Sequence, residues 1–238
     1  MALSLMCKAM RSFALASFLF ALLATPAAAA RQPVVVELYT AQGCAACGSA
    51  NAFIDKLAEQ EGVLALTFPV DYWDYLGWAD TFAKPEFAAR QKGYLPALKL
   101  REAYTPQVII DGRAHATGAQ DDKIEALIRT ASRAPRNPPD MLFQPRRVLV
   151  GSGPTTQGGA DVWLIRYDPR EQTVEVRRGE NRGESIVHRN VVRQAEKLGA
   201  WRGRPASYRL PPAAEEGLKT VVLVQAVRTG RILSVLQD

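Results

Sequence analysis

Apolar positions along this chain change their period twice. Val34 to Val36 and Leu38 form an unbroken apolar, β-branched run that predicts a buried strand, and Thr40 to Gly43 ends it. Beyond Cys47, apolar residues return at Phe53, Ile54, Leu57 and Ala58, the spacing of one helix face. Leu64 to Val70 reads as a second strand. Pro85 suits the first turn of another helix, which places Phe87, Arg90, Gln91 and Tyr94 on one side. Past Ala134-Pro-Arg-Asn-Pro-Pro139 the period becomes two. Strands are expected at 161–167, 173–176, 186–189, 220–227 and 232–236, with turns at Asp168-Pro169, Glu180 to Gly183 and Arg228 to Arg231. Val191 to Leu198 is expected to hold a short helix.

The pattern divides the chain. Residues 1–30 read as a signal peptide: Lys8 and Arg11 precede the apolar stretch Phe13 to Leu23, and Ala28 to Ala30 supplies small residues for cleavage. Residues 31–133 alternate strands and helices, with an aromatic-rich insertion at about 71–104. Residues 134–140 form a proline-stiffened linker. Residues 141–238, with many short strands, are expected to form an immunoglobulin-like β-sandwich.

Composition narrows the chemistry. Of the three cysteines, Cys7 lies in the signal segment, so Cys44 and Cys47 remain after cleavage. An exported chain with one Cys-x-x-Cys pair has no disulfide framework to build. Residues 31–140 carry 12 basic and 14 acidic side chains, whereas residues 141–238 carry 16 and 10. Two differently charged solvated surfaces account for this, because no basic cluster is both long and amphipathic. Nucleic acid is not an expected partner, and no stable membrane span is expected after signal cleavage. No nucleophile elbow, paired-carboxylate motif or phosphate loop stands in a supporting context.

The junction Val34 to Cys47 carries the candidate chemistry. A cysteine at a helix N-terminus has its thiolate favoured by unpaired N–H groups and the helix dipole. A second cysteine one turn later can resolve a mixed disulfide. Glu37 interrupts the apolar strand a few residues before Cys44. It is a candidate proton-transfer group, or else a strand glutamate paired with a basic side chain. Asp71 directly follows a strand, where α/β sites usually form.

Val34 to Cys47 resembles the thioredoxin fold, and the resemblance continues downstream. Tyr104-Thr-Pro-Gln-Val-Ile-Ile-Asp-Gly112 is similar to that fold's second signature, in which a cis-proline begins a strand that ends in a tight turn. His115 to Ala119 matches the following edge strand and glycine, and Asp122 to Ser132 the closing helix. The resemblance implies that Pro106 is cis and faces the cysteines, and that Thr105 offers its backbone to an extended substrate. It also implies that a buried acid near Glu37 exchanges protons with the second cysteine. More narrowly, VELYTAQGCAAC, VDYWDYLGW and YTPQVIIDGR resemble a family of secreted bacterial proteins, domain-of-unknown-function family 1223, with a thioredoxin-like core. Members often carry Pro-Pro after the second cysteine, where this chain has Gly48-Ser49.

The expected function is periplasmic or secreted thiol–disulfide exchange. Cys44 attacks, Cys47 resolves, Glu37 assists, and Thr105, Pro106 and Asp71 hold a protein or small-molecule thiol or disulfide. No cofactor is expected, because the electrons reside in the dithiol. Two alternatives stand beside this. Two thiolates one turn apart can hold Cu(I), though the chain lacks two further ligands at a recognisable spacing for zinc. Alternatively, a structural Cys44–Cys47 disulfide supports a partner-binding module without catalysis.

Overall fold

A computed structural model of the chain describes residues 32–238. The expected signal peptide, residues 1–30, lies outside them. The described part contains β1 (Val34–Thr40), α1 (Cys47–Ala58), β2 (Val63–Pro69), a single 3-10 turn (Asp74–Leu76), α2 (Pro85–Gly93), α3 (Leu95–Leu98), β3 (Gln107–Ile110), β4 (Ala114–Thr117) and α4 (Asp121–Arg133). Nine further strands follow: β5 (Met141–Gln144), β6 (Arg147–Val150), β7 (Ala160–Asp168), β8 (Gln172–Glu175), β9 (Ser185–His188), β10 (Val191–Trp201), β11 (Ala206–Arg209), β12 (Lys219–Ala226) and β13 (Ile232–Gln237). Among the described residues no helix is long and apolar enough to cross a membrane.

The architecture is mixed α/β around one large mixed sheet, in the order β13-β12-β7-β10-β2-β1-β3-β4. β1 runs parallel to β2 and antiparallel to β3, and β3 to β4. Alternation along β1 sorts its side chains. Val34, Val36 and Leu38 join Phe53, Ile54 and Leu57 of α1 and Ile124 and Ile128 of α4 in one core. Val35 and Tyr39 point the other way, with Phe68, Phe87 and the cysteines.

That second core does not stop at the proline-rich segment. Ile165, Val192, Val221, Leu223 and Ile232 belong to it as well. A separate immunoglobulin-like sandwich is therefore not what the structure shows: β7, β10, β12 and β13 extend the same sheet as β1 and β2. The splice is short. Val191 pairs in parallel with Thr67, the Thr67 N–H donates to the Asn190 carbonyl at 3.0 Å, and Asn190 Nδ2 donates to the Ala65 carbonyl at 2.8 Å. On the other face of β7 and β12, Val162, Leu164, Val222 and Val224 pack with Val148, Val150 and Trp201. There the three-stranded sheet β11-β6-β5 makes a second β layer.

The expected short helix at 191–198 is a strand. β10 pairs with β7 along its length, with bulges at Val192/Gln194 and Lys197/Gly199. The turn before β4 and the turn before β13 also meet. A Cβ on Gly112 would lie 1.9 Å from the Gly230 carbonyl oxygen, and φ of +63° at Gly112 already favours glycine. The Ile232 N–H closes this contact by donating to the Asp111 carbonyl at 3.0 Å.

Candidate functional site

β1 delivers the chain to the turn Ala41–Ala46, and α1 begins at Cys47. The Cys44 N–H donates to the Ala41 carbonyl at 3.1 Å, and the Cys47 N–H to the Cys44 carbonyl at 3.0 Å. This folds the Cys-x-x-Cys segment back on itself, and Cys44 and Cys47 form a disulfide with Cα atoms 5.4 Å apart. Cys44 thus stands in the turn just before the helix. Among the described residues no side chain caps α1, so its first-turn N–H groups face the turn uncapped. Both cysteines are buried, Cys44 at 2% and Cys47 at 0% exposure.

Two segments enclose this turn. The first is the aromatic insertion. Asp80 Oδ2 accepts from the Gln42 N–H at 2.7 Å, while Oδ1 accepts from the N–H groups of Phe82 and Ala83. Burial raises the Asp80 pKa, against the lowering effect of those backbone donors. Trp78 Nε1 donates to Gln42 Oε1 at 2.9 Å, and Trp73 Nε1 donates to the Thr105 hydroxyl at 2.6 Å. Tyr72 and Trp73 pack against the core that holds the cysteines.

The second is the connection between β8 and β9. Asn181 Nδ2 donates to the carbonyls of Gln42 at 2.8 Å and Cys44 at 2.9 Å. The Ala45 N–H donates to Glu180 Oε2 at 3.4 Å. A side chain from the β8–β9 connection, more than a hundred residues along the chain, therefore latches the turn that holds the disulfide.

Glu37 lies in a buried, ion-paired network. Its carboxylate accepts from Arg90 Nη2 at 2.7 Å and Nε at 3.0 Å, from Tyr94 Oη at 2.8 Å and from Tyr39 Oη at 2.7 Å. Glu37 and Arg90 are both buried. The Arg90 guanidinium also lies 4.7 Å from the Trp163 ring centroid, a contact between the two halves of the chain. Burial pulls the Arg90 pKa down, but the Glu37 charge beside it outweighs this and the net shift is upward. Burial, then the Glu37 charge, raise Tyr39. Burial also raises Tyr94. Glu37 thus takes the ion-paired option open in the sequence, in a fully bonded network.

The remaining predicted residues divide. The Thr105–Pro106 peptide bond is cis. A Cβ on Gly118 would meet Ala50 at 2.5 Å and Pro106 at 2.8 Å, so Pro106 sits beside the first turns of α1. Trp73 ties Thr105 to the insertion. Asp71 is half-buried, and its carbonyl accepts from the Asp74 N–H at 3.1 Å. This closes the turn that leads into the 3-10 turn, and among the described residues no side-chain hydrogen bond draws Asp71 toward the cysteines. His115 Nδ1 lies 2.9 Å from Tyr104 Oη. His188 is buried edge-on against Phe82. Among the described residues, no three His, Cys, Asp or Glu side chains cluster as a metal site would require.

The family model described as Protein of unknown function (DUF1223) matches residues 35–225. The chain belongs to this DUF1223 family. The match includes Glu180 and Asn181 as well as the cysteines, and it takes in most of the shared sheet, from β1 to β12, but not β13. The chain is also similar to a protein from Agrobacterium tumefaciens solved by X-ray crystallography. That likeness has 33% identity and a TM-score of 0.67, covering 86% of this chain and 92% of that one. HBP35 of Porphyromonas gingivalis shares the fold at a TM-score of 0.56 and 11% identity, over 87% of this chain and 75% of that one. None of the curated proteins matches.

Sequence reasoning missed the latch, Asp80 and Gln42. Glu180 to Gly183 reads only as a turn, and no periodic signal links Asn181 to a carbonyl 137 positions earlier.

Proposed function

We propose that this DUF1223 member is an exported, thioredoxin-like thiol–disulfide exchange protein whose reactive pair is latched shut. The observation that carries the proposal is the Cys44–Cys47 disulfide at a strand–turn–helix junction with an uncapped helix start. The β2-β1-β3-β4 order and the position of Pro106 beside α1 support the thioredoxin-like reading.

The exchange needs no bound cofactor. A substrate thiolate attacks Sγ of Cys44, forming a mixed disulfide, and the Cys44–Cys47 bond breaks with its electron pair on Cys47. Cys47 takes a proton from solvent or remains a thiolate. A second substrate thiolate then attacks the substrate sulfur of the mixed disulfide, and Cys44 leaves as a thiolate. Two electrons have passed from substrate to the pair, and the substrate holds the new disulfide. The same steps reversed reduce a substrate disulfide, with Cys44 attacking and Cys47 resolving. First-turn N–H groups of α1 stabilise the Cys44 thiolate in either direction. Because both sulfurs are buried, attack requires the Asn181 bonds to the Gln42 and Cys44 carbonyls to release first.

Trapping tests this. Cys47→Ser removes the resolving thiol, so reaction with a disulfide-bearing peptide should accumulate a covalent adduct on Cys44, seen by intact mass. Cys44→Ser should accumulate far less. Equal trapping on both variants, or on neither, would refute the assignment of roles.

The burial favours a second reading, in which the disulfide is structural and the β8–β9 side of the molecule binds a partner. The two readings differ in reduction potential.

A further inference from the structure

Between α1 and the β8–β9 hairpin lies a cleft of about 720 Å³ that begins at Ala45, next to the disulfide. Its floor is the face of α1 carrying Gly48, Asn51, Ala52 and Asp55, and its opposite wall includes Ile186 and Val187. Asn51 and Asp55 continue the stripe begun by Cys47, each four residues beyond the last, so the cleft runs away from the sulfurs along one helix side. A Cβ on Gly48 would meet nothing within 4 Å, which leaves the mouth open.

Two independent features mark it as a binding site. The first is Asn51, only 5% exposed. Among the described residues, neither its carboxamide nitrogen nor its carboxamide oxygen has a hydrogen-bond partner. Buried polar side chains are rarely left so, and one free donor beside one free acceptor is the complement of a peptide group. The second is charge. Glu171, Glu180 and Glu184 line the cleft, and among the described residues none of the three forms an ion pair. Lys56 also lines it, and Asp55 is answered by Arg189 at 3.4 Å. The cleft is therefore negative on a chain whose formal net charge is +6.

Resting on the exchange reading above, we infer that the substrate of this site is an extended polypeptide segment with lysine or arginine beside its cysteine. The cysteine meets Cys44, the neighbouring peptide group pairs with Asn51, and the cationic side chain lies among Glu171, Glu180 and Glu184. The overall positive charge would steer an anionic peptide better, so a cationic preference can arise only locally.

The test uses the oxidised full chain and three capped heptapeptides, each with one cysteine flanked by two lysines, two alanines or two glutamates. Dithiothreitol serves as a neutral reference reductant. At low salt the lysine peptide should reduce the Cys44–Cys47 bond about tenfold faster than the glutamate peptide. Glu171→Gln/Glu180→Gln/Glu184→Gln should bring that ratio close to one, which separates the cleft's effect from the peptides' own thiol acidities. Equal measurable rates on the parent protein, or a preference that survives the triple substitution, would overturn the inference. Binding of the lysine peptide with serine for cysteine, followed by calorimetry, tests the cleft without the chemistry. Asn51→Ala and the triple substitution should each weaken that binding, and no measurable binding by the parent protein would overturn the inference. Failure of dithiothreitol and all peptides to react, with the serine peptide still binding, would sink the exchange reading and leave the cleft's cation preference standing.

Discussion

Removing Glu37 should damage the fold more than the redox chemistry. In Glu37→Leu the Arg90 guanidinium keeps its charge in a buried site and loses its two bonds to the carboxylate, at 2.7 and 3.0 Å. The hydroxyls of Tyr39 and Tyr94 lose their acceptor as well. Breaking one side of a buried pair costs about 3–5 kcal/mol, so we expect roughly 4 kcal/mol for this variant and a similar loss for Arg90→Met. The double substitution removes both charges, and leaves the two hydroxyls without their carboxylate and Gln225 Oε1 without its Arg90 donor. At about 1–3 kcal/mol for each orphaned group, partly relieved by rearrangement, its expected loss is roughly 3 kcal/mol. The coupling between the sites is then about 5 kcal/mol, within the range for close buried charges. Urea unfolding of the oxidised proteins, followed by tryptophan fluorescence, gives the four corners of the cycle if the slope is constant. Additive losses, with a coupling below about 1 kcal/mol, would refute the claim that Glu37 and Arg90 act as one structural unit.

Other expectations follow from particular contacts. Asn181→Ala removes two hydrogen bonds on the cysteine turn. At about 1 kcal/mol each, it should speed reduction by dithiothreitol at least tenfold, and an unchanged rate would mean that the latch does not control access. Burial, then the Arg193 charge, depress the His188 pKa from 6.5 to about 4. The neutral ring is favoured in the folded state, so this contribution is intact above pH 6.5 and is lost as pH falls toward 4, by roughly 3 kcal/mol. His188→Leu should therefore lose less stability than the parent between pH 7.5 and 4.5 in urea melts, and parallel losses would count against it. Gly112→Ala forces a side chain onto the Gly230 carbonyl oxygen. A loss of at least about 2 kcal/mol is expected in the same melts, with the loss under 0.5 kcal/mol that is usual for a surface site contradicting the close approach.

Local signals carried most of the elements. The apolar runs of β1, β2, β7 and β12 are buried on both faces, so each stands out as a strand by residue type alone. β10 did not. Gln194, Ala195, Glu196, Lys197 and Leu198 are good helix formers, and its two bulges break the period of two that would mark a strand. Pairing with β7 overrides the local preference. The shared sheet was hidden for a different reason. It rests on Asn190 and Val191 meeting Ala65 and Thr67, and no periodic pattern reports a contact across more than a hundred residues. A proline-rich segment reads as a boundary, yet Arg136 ties it to the Pro33 carbonyl at 3.1 Å, and Ser234 binds the Pro139 carbonyl. The cysteine pair was legible because its chemistry is local. The groups that cover it come from Trp73, Trp78 and Asn181, and only folding brings them together.

The reduction potential of the Cys44–Cys47 pair, measured by equilibrating the protein in glutathione and dithiothreitol buffers, tests the exchange reading most directly. A value between about −120 and −270 mV, the range of known exchange catalysts, is the expected result. A value below about −300 mV would mark a structural disulfide and contradict it.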